Sequence, residues 1–227
     1  MVTMAEINDA TAARAAEREE VLTKARAAKA AAPVLATLPT PDKDALLRDA
    51  AEQLVSRADE VLAANAEDTD GRMWTYMAYG PFARLEDYRT WARAAAAGED
   101  PLFHAILDAR SGRTLGVAAY LRIEPAVGVI EVGHIAYAPA LQRTPAATEA
   151  MYLLMRRVFE ELGYRRYEWK CDSLNQPSRD AALRLGFTEE GTWRHALVYK
   201  GRNRDTTWFS ITDTEWPGVD AAHAAWL

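Results

Sequence analysis

Apolar and polar positions follow two different rhythms along this chain. Residues 129–137, Val-Ile-Glu-Val-Gly-His-Ile-Ala-Tyr, are apolar, β-branched or aromatic at most positions, which predicts a central strand. Ala138-Pro139 ends it, because proline has no N–H to give to a ladder. After the short loop Leu141-Gln142-Arg143-Thr144 the rhythm changes. Ala147, Met151, Leu154, Val158 and Leu162 recur at three- and four-residue steps and predict a helix. Pro145 suits its first turn, where a missing N–H costs little. A strand, a tight loop and a helix N terminus leave backbone N–H groups unpaired. Such a place binds phosphate oxygens through those donors and the helix dipole. Strand-loop-helix units are common, so this one by itself reads first as a plain structural unit.

The same reading extends on both sides. Residues 84–97 predict a helix with Leu85, Tyr88 and Trp91 on one side, preceded by an aromatic loop over 74–82. Residues 102–108 and 114–123 predict a hairpin about a Ser111-Gly112 turn. Residues 167–171 predict a strand, and 176–185 a helix that Gly186 ends. Residues 192–200 and 206–212 predict two strands joined by a basic loop over 201–205. That loop is a solvated hairpin tip, or a contact for an acidic group. The tail from Trp216 is short and expected to fray.

Upstream the pattern is helical throughout. Residues 4–31 are rich in Ala, Glu, Arg and Lys, all good helix formers. Pro33 interrupts them. Thr40-Pro41-Asp42 marks a new start: a capping hydroxyl, proline at the first position, then an acid near the positive end of the dipole. Leu46, Leu47, Ala50, Leu54, Ala58, Val61 and Leu62 then form one apolar stripe.

Composition sharpens this division. Residues 1–70 contain 20 alanines but no glycine, histidine or aromatic residue, and hold 8 Lys/Arg against 14 Asp/Glu. They carry the whole net charge of −6, since residues 71–227 hold 19 of each sign. The expected organisation is a helical appendage over 1–70, an α/β (α+β) domain over 71–217, and a tail over 218–227. A net charge of −6 argues against general nucleic-acid binding. One cysteine excludes an internal disulfide framework, and no apolar run approaches membrane-spanning length. With no signal-peptide pattern at the start, the expected setting is the cytoplasm. No metal site is expected.

The segment from Ala25 to Asp68 resembles the N-terminal helices of γ-glutamyl phosphate reductase. The likeness lies in Ala-Arg-Ala-Ala-Lys-Ala-Ala-Ala-Pro-Val-Leu-Ala-Thr-Leu and in Asp59-Glu-Val-Leu-Ala-Ala-Asn-Ala-Glu-Asp68. That family's nucleotide-binding and catalytic-cysteine parts have no counterpart here. The resemblance therefore implies a structural or oligomerising role rather than reductase activity.

Residues 73–217 resemble the GNAT acyltransferases, in particular the RimJ/RimL-like N-acetyltransferases. Four stretches carry the likeness in order: Trp74–Phe82; Ile130-Glu-Val-Gly-His134 with Leu141–Ala150; Asn175-Gln-Pro-Ser178 with Arg184-Leu-Gly-Phe187; and Lys200–Asp205 with Trp208-Phe-Ser210. The resemblance implies a mixed, mostly antiparallel sheet flanked by helices, acetyl-CoA or another acyl-CoA as donor, and a primary-amine acceptor. Two features depart from the family. Pro145 stands where the pyrophosphate loop has a glycine, which removes one amide. The reductase-like helices stand where a first strand and helix are usual, so a sheet edge is left exposed: either the helices cover it or the domain is compromised, and a second copy could pair through that edge or through the helices.

Residue by residue, the resemblance assigns the phosphates to Gln142, Arg143, Thr144, Ala146 and Ala147, with Tyr137 at the strand end beside them. It assigns the pantetheine arm to Asn175 and protonation of the leaving thiolate to Ser178. Both also suit a helix cap. Glu131 is a candidate base, directly or through water, because a charge in a central strand is costly unless a site uses it. An ion pair would explain it equally. His134 lies three residues on, so strict alternation puts it on the opposite face unless a bulge intervenes; it ranks below Glu131 as a base, and a packed core histidine is the preferred account. Trp74, Tyr76, Tyr79 and Phe82, with His134, are expected to line the acceptor side, although aromatics also form core. Cys171 reads as a small buried residue. A coenzyme A-binding or dimerising module without catalysis, and a scaffold that pairs through residues 1–70, are the competing functions.

Overall fold

The structure, a computed structural model, describes residues 72–227. The readings for residues 1–70 lie outside the described residues. Six strands form one sheet: β1 (Leu102–Leu107), β2 (Thr114–Glu124), β3 (Val129–Tyr137), β4 (Arg166–Asp172), β5 (Thr188–Tyr199) and β6 (Arg202–Thr212). Their spatial order is β1-β2-β3-β4-β6-β5. Every neighbouring pair is antiparallel except β3 and β4, which run parallel. The expected mixed, mostly antiparallel sheet is therefore present, with β3 at its centre.

Four helices flank the sheet: α1 (Leu85–Ala96), α2 (Pro145–Arg156), α3 (Gln176–Arg184) and α4 (Trp216–Trp226). The main core lies under α2, α3 and α4. Met151, Met155 and Val158 meet Ile130, Val132, Tyr167, Trp169, Phe209 and Ile211 there. On the opposite face α1 and the aromatic loop pack against Phe103, Val117, Ala119 and Ala136. Strand β4 shows the two-sided logic most plainly. Tyr167, Trp169 and Cys171 enter the core, while Arg166, Glu168, Lys170 and Asp172 alternate with them.

Local chemistry explains the element ends. Thr144 caps α2, its hydroxyl accepting from the Ala147 amide, and Asn175 caps α3 by accepting from the Ser178 amide. Gly186, at φ +96°, ends α3 while the Phe187 amide reaches back to Ala182 O at 3.0 Å. Asp108 stabilises the β1–β2 turn by accepting from the Ser111 amide at 2.7 Å.

Three expectations are corrected. The apolar stripe of α2 does not reach Leu162, which is exposed. A π-helical turn, Arg157–Glu161, inserts an extra residue and rotates the stripe. The basic loop over 201–205 is shorter than expected. Only Lys200 and Gly201 turn, both with positive φ, as a two-residue hairpin demands, so Arg202–Asp205 belong to β6. The tail does not fray: α4 buries Trp216 and His223, and the Phe159 and Trp216 rings stack at 5.0 Å. The Tyr152 hydroxyl donates to Asp220 at 2.7 Å, which anchors α4 to α2.

Candidate active site

The site grows from a defect in the sheet. Strands β3 and β4 pair from Val129↔Arg166 to Val132↔Trp169 and then part, although β3 runs on to Tyr137 and β4 to Asp172. The split leaves strand backbone without a cross-strand partner in the middle of the molecule. The loop that opens α2 follows β3, and the turn that opens α3 follows β4. Both helix N termini therefore stand at the split, on the face that holds the main core.

The loop after β3 is internally braced. Gln142 Nε2 donates to Tyr137 O at 2.8 Å, and Thr144 Oγ1 donates to Leu141 O at 2.6 Å. Of the five residues assigned to the phosphates, three have engaged amides: Gln142 N–H meets Ala138 O, Thr144 N–H meets Leu141 O, and Ala147 N–H meets the capping hydroxyl. The remaining pair, Arg143 and Ala146, is on exposed residues, with Arg143 at φ +60°. Ala146 is the second helical residue, whose N–H has no intrahelical acceptor. Pro145 thus costs one donor without closing the anion site. The Tyr137 hydroxyl beside it is buried with no partner, and burial pushes its pKa up.

At the second helix, Ser178 Oγ accepts from Trp169 Nε1 at 3.0 Å. That bond uses a lone pair and leaves the hydroxyl proton to donate. Asn175 Oδ1 is spent on the cap, but its NH₂ is not. Cys171 lies beside Ser178, and burial raises its thiol pKa. It is a core residue.

The other face carries the charges. Glu131 is buried, and its Oε2 lies 2.8 Å from Lys170 Nζ and 3.3 Å from Arg122 Nε. These are charge contacts, since Oε2 lacks a partner in hydrogen-bond geometry. Burial raises the Glu131 pKa against the pull of Lys170 and Arg122. Lys170 also meets Glu168 Oε2 at 2.7 Å and sits 3.5 Å from the Trp208 ring centre. Burial would raise Glu168 as well, but Lys170 and Arg166 outweigh it and hold the carboxyl below its ordinary range. The ion pair foreseen as one account of Glu131 is present.

The aromatic loop closes this face. Trp74 is buried and, with Phe82, forms the inside of a ring cluster that includes Tyr79 and Trp91. Tyr79 stacks on Trp91 at 4.3 Å and on His134 at 5.6 Å. Trp74 and Phe82 thus support the wall, and Tyr79 and His134 stand at its edge. The loop is fastened to the cofactor side: the Tyr76 hydroxyl donates to Leu174 O at 3.0 Å, and Lys200 Nζ donates to Trp74 O at 2.6 Å. Asp172 completes the tie, accepting from the Leu174 amide, the Tyr199 hydroxyl and Arg202.

Lys170 and Asp172 were not singled out in the sequence. The signal was present, four charges of alternating sign at every second position of β4, against apolar residues between them. Nothing local says that such a row lies under cover.

A split central strand pair, with a helix N terminus at each side of it, is the architecture of an enzyme that threads an acyl-CoA through a sheet. Comparison with known proteins agrees. The model of the acetyltransferase (GNAT) domain matches residues 49–188. A GCN5-related N-acetyltransferase from Brucella melitensis superposes with a TM-score of 0.73 at 47% identity, over 75% of this chain and 77% of that one. A probable acetyltransferase of the GNAT family from Chromobacterium violaceum gives 0.67 at 42%, over 71% and 80%. The microcin C7 self-immunity acetyltransferase MccE, solved with acetyl-CoA and AMP, shares the fold, with a TM-score of 0.61 at 22% identity over 70% and 88%. The chain belongs to the GNAT acetyltransferase family, whose members take the acyl group from acetyl-CoA. The unengaged amides of Arg143 and Ala146 and the orphan Tyr137 hydroxyl fit that donor. No helix among the described residues is long and apolar enough to cross a membrane.

Proposed function

We propose that this protein is an N-acyltransferase that moves an acetyl or related acyl group from acyl-CoA to a primary amine. The acceptor is a protein N terminus or a small molecule, on the RimJ/RimL pattern, and the setting is the cytoplasm. The observation that carries the reading is the parting of β3 and β4 beyond Val132 and Trp169, with both helix N termini on one side of it.

Acyl-CoA supplies a thioester carbonyl with a thiolate leaving group. Arg143 and Ala146 offer amides to its phosphates, with the α2 dipole behind them. The Asn175 NH₂ is placed for the amide oxygens of the arm. Ser178, steadied by Trp169, offers its proton to the departing sulfur. The helical face is filled by core, so the amine enters from the other face, past Tyr76 and Tyr79. Its proton leaves towards Glu131 and His134, and acid and base sit on opposite sides of the sheet. Calorimetry with acetyl-CoA tests the cofactor loop, and thiol release in the presence of an amine tests the transfer. A protein that binds acetyl-CoA and releases no thiol with any amine would be the non-catalytic module instead.

A further inference from the structure

Glu131 is on the acceptor face, but its carboxylate is pinned between Lys170 and Arg122. His134 is on that face as well, and its ring is free of ion pairs. Three observations single it out. The first is a bulge in β3. Gly133 pairs with Ala119 and Ala136 with Val117, so His134 and Ile135 together stand opposite Ala118. The extra residue breaks the alternation. Ile135 goes to the main core, and His134 joins the side of Glu131, against Tyr79 and Phe103. His134 adopts φ +50°, which a residue with a side chain keeps only where its surroundings hold it, and such residues cluster at functional sites. The bulge falls two residues beyond Val132, where the β3–β4 split opens.

The second observation is the clamp. The imidazole lies near-parallel to the Tyr79 ring, at 17° and 5.6 Å, with the Phe103 ring 5.2 Å away. The third is contrast with the other histidines. His104 buries both ring nitrogens without a partner, His223 Nε2 is bonded to Leu185 O, and His195 stands on the exposed edge strand. His134 stands on β3 two residues beyond the point where the split opens, and neither of its ring nitrogens is a buried orphan. Burial lowers its pKa below the ordinary 6.5, with no charged neighbour contributing. The Tyr79 hydroxyl, the titratable group stacked on it, is pushed up by burial and stays neutral. Glu131 is the one charged group on the same strand face, and Lys170 and Arg122 answer its charge.

We infer that the His134 imidazole, turned by the bulge onto the acceptor side of the split, is the group that takes the proton from the attacking amine. This rests on the acyl-transfer reading. The neutral amine nitrogen bonds to the thioester carbonyl carbon, and its N–H proton passes to a ring nitrogen of His134. The carbon–sulfur bond breaks, and its electron pair leaves on sulfur. The sulfur takes the Ser178 proton, which water replaces, and the imidazolium returns its proton to water. The sum is amine plus thioester to amide plus thiol. Glu131 is then a positioning residue that holds Lys170 and Arg122 in place.

The test measures thiol release from acetyl-CoA against pH, with an amine the wild-type protein uses or with water as the acceptor. The wild-type kcat/KM, expressed on the concentration of neutral amine or measured with water as acceptor, should fall on the acid side with an apparent pKa below 6.5. His134→Gln should lower kcat by about 10²–10⁴-fold and abolish that acid limb, with acetyl-CoA affinity kept. His134→Gly accepts φ +50° without strain, and added imidazole should restore part of its rate. A His134→Gln protein at the wild-type rate with its acid limb intact overturns the inference, as does a limb that vanishes in Glu131→Gln instead. Wild-type protein that releases no thiol with either acceptor overturns the acyl-transfer reading and this inference together.

Discussion

At the residue scale, buried charges and protons divide the labour. Lys170 is the centre of one group, with a carboxylate on each side and an indole beneath it. Removing one partner of a buried ion pair is costly because the other charge stays behind. Lys170→Ala removes the cation that Glu131 and Glu168 share and leaves each with one arginine, Arg122 and Arg166, so it should cost about 3 kcal/mol, read by urea denaturation. A cost below about 1 kcal/mol would mean that the pair behaves as a surface one. His104 makes a pH prediction. Burial, then the nearby Arg157, hold its pKa at about 4, against 6.5 for an ordinary histidine. The folded state therefore binds this proton less readily than the unfolded chain does. The stability is complete above pH 6.5 and is lost as the pH falls towards 4. Thermal melts should show that loss, and His104→Phe, which keeps a ring against Tyr120, should shrink it. An equal loss in the variant would place the effect elsewhere. Ser178→Ala removes the proposed proton donor to sulfur and should slow turnover by about 10²-fold while acetyl-CoA affinity holds. Unchanged turnover would mean that the thiolate leaves unprotonated.

At the element scale, what could be read in the chain and what could not follow from one cause. Strand β3, helix α3 and the β1–β2 hairpin were legible because their periodicity, caps and turn residues are local: Pro139, Asn175, Gly186 and the Ser111-Gly112 turn. The π-helical turn after Arg156 was not legible, because it depends on what the helix packs against. The bulge at His134 was legible only through the family resemblance, since strict alternation is the only rule a lone strand offers. Helix α4 was missed because its apolar residues, four of them alanine, matter only once Phe159 and Leu185 are beside them. The cofactor loop is the element to test. Thr144→Asp with Ala146→Asp puts two carboxylates where the phosphates belong, and juxtaposed like charges cost several kcal/mol. Acetyl-CoA affinity should drop by at least about 100-fold by calorimetry. Equal binding by both proteins would remove this loop from the site.

At the scale of the whole molecule, the sheet separates two chemistries and the split joins them. One face holds the helix N termini, Ser178 and the core. The other holds Glu131, Lys170, His134 and the aromatic loop, and Tyr76, Lys200 and Asp172 bind that loop to the turn that carries Asn175. Four short stretches in the right order made the family legible, and no single one would have done so. The measurement closest to the central claim is stoichiometry: free thiol released from acetyl-CoA, counted against acetylated product by mass spectrometry over a panel of primary amines. The account predicts one thiol for each acetylated amine, with both slowed together in Ser178→Ala. Acetyl-CoA binding without thiol release above the uncatalysed background, for every amine on the panel, would contradict it.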